Sequence, residues 1–123
     1  MQNEKENFKK NFIKRLISFS VDVIKFSVLV RASQSLRPIV DQLVRSATSV
    51  GANVVEAKSS SSKKDYIKFF EIALKSANET KFWFIIIRES DHKLALQAGQ
   101  LLSEAEEIAN IIGASVLTLK GKK

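Results

Sequence analysis

The sequence predicts an all-α fold, an antiparallel up-down-up-down four-helix bundle, on three observations. Four segments repeat apolar residues at steps of three and four, and the breaks between them are short and polar. A single Pro and four Gly leave little material for the turns of a many-stranded sheet. With 123 residues, 45% of them hydrophobic, the chain suits one domain over 1–123 built around one core.

The first helix is predicted over residues 8–31, where Phe12, Leu16, Phe19, Val23, Phe26 and Val30 form one stripe. Ile13, Ile17 and Ile24 widen that stripe on one side, and Lys10, Lys14, Asp22 and Lys25 fall largely on other faces. Pro38 suits the first turn of a helix, where its missing N–H costs no hydrogen bond, so the second helix is expected over 38–58. Ile39, Leu43, Val50, Val54 and Ala57 make its stripe, thinned by Ser46 and Gly51. Gly51 in mid-helix costs up to about 1 kcal/mol relative to Ala, and close packing of a neighbour is the reason expected for it.

Ser59 to Ser62 interrupts the pattern, and Ser62-Lys63-Lys64-Asp65 reads as a capping box in which Ser62 caps and Asp65 reaches back. The third helix is predicted over 63–90, with Tyr66, Phe70, Ala73, Ala77, Thr80, Phe84 and Ile87 on one stripe. Residues 82–87, FWFIII, are apolar on every side of such a helix, more than one bundle core covers, although taken alone they also suit a strand. The surplus is expected to face another subunit, with Phe82, Trp83 and Ile86 as the oligomer interface. Ser90-Asp91-His92 offers a cap for a fourth helix over 94–118, in which Leu94, Ala98, Leu101, Ala105, Ile108 and Ile112 repeat. Gly113 is expected to mark its fraying, ahead of a loose basic tail over 120–123.

The absence of Cys excludes disulfides and thiolate metal sites and is compatible with a reducing compartment. The opening MQNEKENFKKNF is too charged for a signal peptide, and the longest apolar run falls far short of the ~20 residues of a membrane span. A cytoplasmic protein without membrane contact is expected. Its net charge is +7, with an estimated pI of 9.8, and residues 94–119 hold three Glu and no Lys or Arg, so one acidic helix sits on a basic body. A positive surface of that kind attracts RNA, DNA or an acidic protein; the plainer reading is charge that keeps the protein soluble.

An enzyme is not expected. One His, His92 in a break, and no Gly-rich phosphate loop leave few nucleophile and base combinations. Carboxylate-metal chemistry inside a bundle uses Glu-x-x-His repeats on facing helices, which one His cannot supply. No catalytic residue, metal site or cofactor is therefore assigned. Asn53 and Glu56, three apart on one helical face, are expected to form a buried polar link that fixes helix register, with Arg45, Arg88 or Asn78 as partner.

The functional candidate is the basic set Arg45, Lys58, Lys63, Lys64, Lys68, Lys75 and Lys81, centred on the loop between the second and third helices, as a nucleic-acid-binding surface. Lys64, Lys68, Lys75 and Lys81 are expected to share roughly one side of the third helix. Tyr66 is the one aromatic standing among these lysines, so contact with the nucleic-acid backbone is expected rather than base stacking.

The segment RSATSVGANVVEA at 45–57, followed by SSSSKKDYIKFFEIALKSANETKFW at 59–83, resembles the four-helix bundle proteins named after the 23S rRNA intervening sequence. That family pairs Arg-Ser-Ala-x-Ser-Ile-Gly-x-Asn-Ile-x-Glu on its second helix with Ser-x-x-[Asp/Glu]-[Phe/Tyr]-x-x-Phe opening its third, matched here by Arg45 to Glu56 and Ser62 to Phe69. The resemblance runs from about Lys14 to Leu117, and departs from the commoner Asn-Ile-Ala-Glu-Gly ending at Val55 and Ala57. It implies a small left-handed bundle assembled as a homo-oligomeric ring, typically a pentamer, often without an assigned activity. A related branch, the accessory variability proteins of diversity-generating retroelements, implies nucleic acid and a reverse transcriptase as partners. The alternative is a protein-interaction scaffold with no nucleic-acid role.

Overall fold

The computed structural model describes residues 2–121. Four helices, α1 (Gln2–Arg31), α2 (Arg37–Lys58), α3 (Lys63–Ser90) and α4 (Ala95–Leu119), form the bundle, with single 3-10 turns at Gln34–Leu36 and His92–Leu94 leading into α2 and α4. No strand occurs among the described residues, and 82–87 is helical throughout. Lys122 and Lys123 of the expected tail lie outside the described residues.

Helix α1 begins six residues earlier than the apolar pattern indicated. Residues 2–7 carry no apolar repeat to signal a helix, but Glu4 in the first turn complements the positive end of the helix dipole. At the start of α3 the Ser62 hydroxyl accepts the Asp65 backbone N–H at 3.1 Å, so the cap forms. Its reciprocal half does not, because the Asp65 carboxylate takes the Ser61 hydroxyl at 3.4 Å instead. Asp91 caps the turn before α4 by accepting the Lys93 N–H at 2.9 Å. Helix α4 runs through Gly113 without fraying and ends where Gly121 adopts φ 72°, a left-handed conformation that suits glycine.

The predicted core stripes are buried except at Ile39, Tyr66 and Leu101, which are half-buried at the edge of the core, with Leu102 buried on α4 beside Leu101. Phe12, Leu16, Phe19, Val23, Phe26 and Val30 of α1 point inward, and Phe84 of α3 reaches across to Phe19 and Phe26, with ring centroids 6.4 and 6.2 Å apart. Helix α2 is thin on both flanks. Towards α1, a Cβ placed on Gly51 would lie 3.4 Å from the Leu16 Cβ, so the backbones approach closely there. Towards α3, the buried Thr80 hydroxyl lies 2.9 Å from the Ser46 hydroxyl, whose own proton reaches the Leu43 carbonyl at 3.1 Å. One turn along, the Ser76 hydroxyl donates to the Ser49 hydroxyl at 2.9 Å. These pairs advance on α2 as they retreat on α3, which makes the two helices antiparallel.

That hydroxyl ladder replaces the polar link expected of Asn53 and Glu56. The half-buried Asn53 turns back along its own helix and donates to the Ser49 carbonyl at 2.8 Å and its hydroxyl at 3.0 Å. Glu56 is exposed on the outer side of α2, where water solvates it without a buried partner. Small hydroxyls serve between α2 and α3 because two thin faces meet there, leaving no room for a longer acid.

Thermal melts should separate the two arrangements. Thr80→Val breaks the inter-helix bond and is expected to lower stability by about 1 kcal/mol, whereas Glu56→Gln should stay within about 0.5 kcal/mol of the parent.

Candidate functional site

The α2–α3 register divides the basic set. Lys58 ends α2, and Lys63, Lys64 and Lys68 open α3, so these four exposed lysines gather at one end of the bundle. Arg45 stands level with Thr80, beside its bonded neighbour Ser46, and so lies about 20 Å along α2 from Lys58. Lys81 is equally remote, half-buried, and turned roughly a third of a turn from the outer face shared by Lys64, Lys68 and Lys75. The set is therefore not centred on the loop as expected. Spacing along one helix could not show it, because the level of each residue depends on how α2 and α3 pair.

The fold adds lysines that the sequence reading left out. The antiparallel arrangement brings the first turns of α1 and the last turn of α4 to the same end as the α2–α3 loop, and with them Lys5, Lys9, Lys10 and Lys120. Lys120 pairs with Glu71 across α3 and α4. Lys5, Lys9, Lys58, Lys63, Lys64 and Lys68 form no ion pair among the described residues, so their charge faces outward.

A cleft of about 640 Å³ opens at this end between the α1 and α4 seam and the ends of α2 and α3. Phe12, Phe70, Ile111 and Leu119 line its apolar depth, and Lys5, Phe8, Lys9, Lys58 and Tyr66 surround its mouth. Among the described residues no carboxylate lines it. Phe8 lies parallel to Phe12 with centroids 6.2 Å apart, Tyr66 stacks on Phe70 at 5.0 Å, and the Lys9 ammonium sits 5.8 Å over the Tyr66 ring. The expectation that Tyr66 alone stands among the lysines is thus corrected: the packing of α1 brings Phe8 to the same mouth. The Lys5, Phe8, Lys9, Phe12 interleaving near the start of α1 is the signal the sequence offers, and it joins one face only because the helix begins before residue 8.

Farther along the seam Arg15 clasps α1 to α4. Its guanidinium donates two hydrogen bonds to Glu104, both 2.7 Å, and one to Glu107 at 2.8 Å. Those bonds, first to Glu104 and then to Glu107, raise the pKa of Arg15 above its ordinary value and hold it charged. Beyond the clasp a second groove of about 580 Å³ separates the helices, lined by polar groups such as Asp22, Lys25, Gln97 and Gln100. The acidic face of α4 is thereby partly neutralised from within the chain.

Two apolar faces remain outside the core. On α3, Phe82 is 53% exposed and Ile85 39%, whereas Ile86 and Trp83 are half-buried, with the Trp83 indole N–H donating to Glu79 at 3.0 Å. On α1, Ile17, Val21, Ile24 and Val28 form an exposed second stripe almost opposite the buried one. Ile17 and Ile24 therefore do not widen the core stripe as expected. Among the described residues no three His, Cys, Asp or Glu could jointly hold a metal ion, and no helix is long and apolar enough to cross a membrane.

The Arg15 clasp predicts a measurable seam. Arg15→Met should lower stability by about 1 kcal/mol at low ionic strength, and the difference should shrink when denaturant melts are repeated in high salt.

The family model described as 23S rRNA-intervening sequence protein matches residues 9–114. A crystal structure of a protein of unknown function from the S23 ribosomal protein family of Bacteroides thetaiotaomicron superposes with a TM-score of 0.79 at 27% identity, covering 85% of this chain and 97% of that one. No curated protein matches the chain.

Proposed function

This chain belongs to the 23S rRNA-intervening sequence protein family, and from that premise we propose a cytoplasmic, non-enzymatic bundle that self-associates and binds the phosphate backbone of RNA or DNA at its lysine-rich end. The observation that carries the reading is the convergence there of Lys5, Lys9, Lys58, Lys63, Lys64 and Lys68 from three helices, with no carboxylate paired to them among the described residues. Such clusters displace condensed counterions from a polyanion, and that release drives association. Backbone contacts of this kind position a nucleic acid without reading its sequence.

Self-association draws on the two apolar faces of α1 and α3. They lie on different helices, so a head-to-tail contact, α1 of one copy against α3 of the next, generates a ring if the rotation closes. A ring multiplies the basic end and converts weak single contacts into avid ones. The exposed faces also support the alternative, a protein-interaction scaffold, in which another protein takes the place of the second copy.

Binding to labelled ribosomal RNA fragments, random RNA and duplex DNA across a salt series tests the charge reading. Steep salt dependence is expected, and the Lys63/Lys64/Lys68 triple-Glu variant should reduce the log–log slope by up to about 3. Absence of binding near physiological salt would leave the scaffold. Light scattering tests the other half: the parent should exceed the monomer mass of 13.8 kDa, and Ile24→Glu or Phe82→Glu should disperse it.

A further inference from the structure

We infer that the cleft at the basic end receives an unpaired base, so that the protein prefers single-stranded over duplex nucleic acid. This rests on the nucleic-acid reading and deepens it. The first turns of α1 interleave Lys5, Phe8, Lys9 and Phe12 along the side that faces the cleft. The two lysines spring from backbone positions one turn apart, about 6 Å along the helix axis, with Phe8 between them along the chain. A single strand has the same alternation of anionic phosphate and flat base.

Each group has a place in that contact. Phe8 rests parallel to Phe12 on one side yet is 58% exposed, so ring surface remains for a base to stack on. Across the mouth, Tyr66 is backed by Phe70 and overlain by the flexible Lys9 side chain, which can swing to a phosphate and uncover the ring. Lys58 closes the third side. The cleft volume of about 640 Å³ is within the range that holds small organic groups, and its lining without carboxylates matches an anionic strand. A base held in a duplex keeps both faces in the stack and cannot reach Phe8, whereas an unpaired base can be splayed out into the cleft.

Anisotropy titrations of the full chain with a labelled single-stranded RNA and a duplex of the same length provide the test, with Phe8→Ala, Phe8→Tyr and the Lys63/Lys64/Lys68 triple-Glu variant alongside. The parent should favour the single strand. Phe8→Ala should weaken it about tenfold and leave the duplex within about twofold, while Phe8→Tyr, which keeps the ring, restores it. Equal affinity for the two forms, or an unchanged single-strand affinity in Phe8→Ala, overturns the inference; if the triple-Glu variant still loses binding, the backbone reading survives. Parent protein that binds neither form defeats both. A lower assembly mass in Phe8→Ala by light scattering also overturns it, since Phe8 would then serve contacts between copies.

Discussion

The thinness of α2 is the constraint on which the rest of the bundle depends. Gly51 admits α1 as far as Leu16, while Ser46 and Ser49 admit α3 to the distance of a direct hydroxyl contact. Close approach on both flanks fixes the levels of three helices against one another. Those levels decide which lysines share an end and which aromatic rings meet across it. Hydroxyls suit this role because each can accept and donate at once: Ser46 gives its proton to the Leu43 carbonyl of its own helix and accepts that of Thr80, so among the described residues no buried side-chain polar atom is stranded.

Charge is arranged by the same geometry. The acidic run of α4 meets Arg15 of α1, which takes two of its three carboxylates into a shared network and leaves Glu106 exposed. The far end of the bundle pairs Arg31 with Asp41 and Arg88 with Glu89. At the α2–α3 loop end the lysines outnumber available acids, so the field of the molecule is polarised along its axis. A polyanion approaching from solution is steered to that end before any specific contact forms.

Much of the fold was legible in the sequence because burial leaves a period. The inward stripes of all four helices and the caps at Ser62 and Asp91 follow from local chemistry. The exposed Ile17, Val21, Ile24 and Val28 obey the same period as the core, so hydropathy alone could not tell a second face from a widened first one. Glu56 was misplaced because three-residue spacing from Asn53 says nothing of how far an outward-turned acid stands from the neighbouring helix. The cleft was illegible for a different reason: Phe8 and Tyr66 are far apart in sequence, and only the packing of α1 against the other helices joins them.

The seam between α1 and α4 is open at both grooves and fastened between them at Arg15. Helix α1 is thus held to α4 by little besides that clasp, and its amides are expected to exchange hydrogen sooner than those of α2 or α3. Detachment of α1 would uncover the Phe19, Phe26 and Phe84 cluster while leaving the α2–α4 hairpins in place. A ligand lodged in the basic cleft touches α1 and its three neighbours together, so occupancy would suppress that opening and couple binding to the cooperativity of the whole fold.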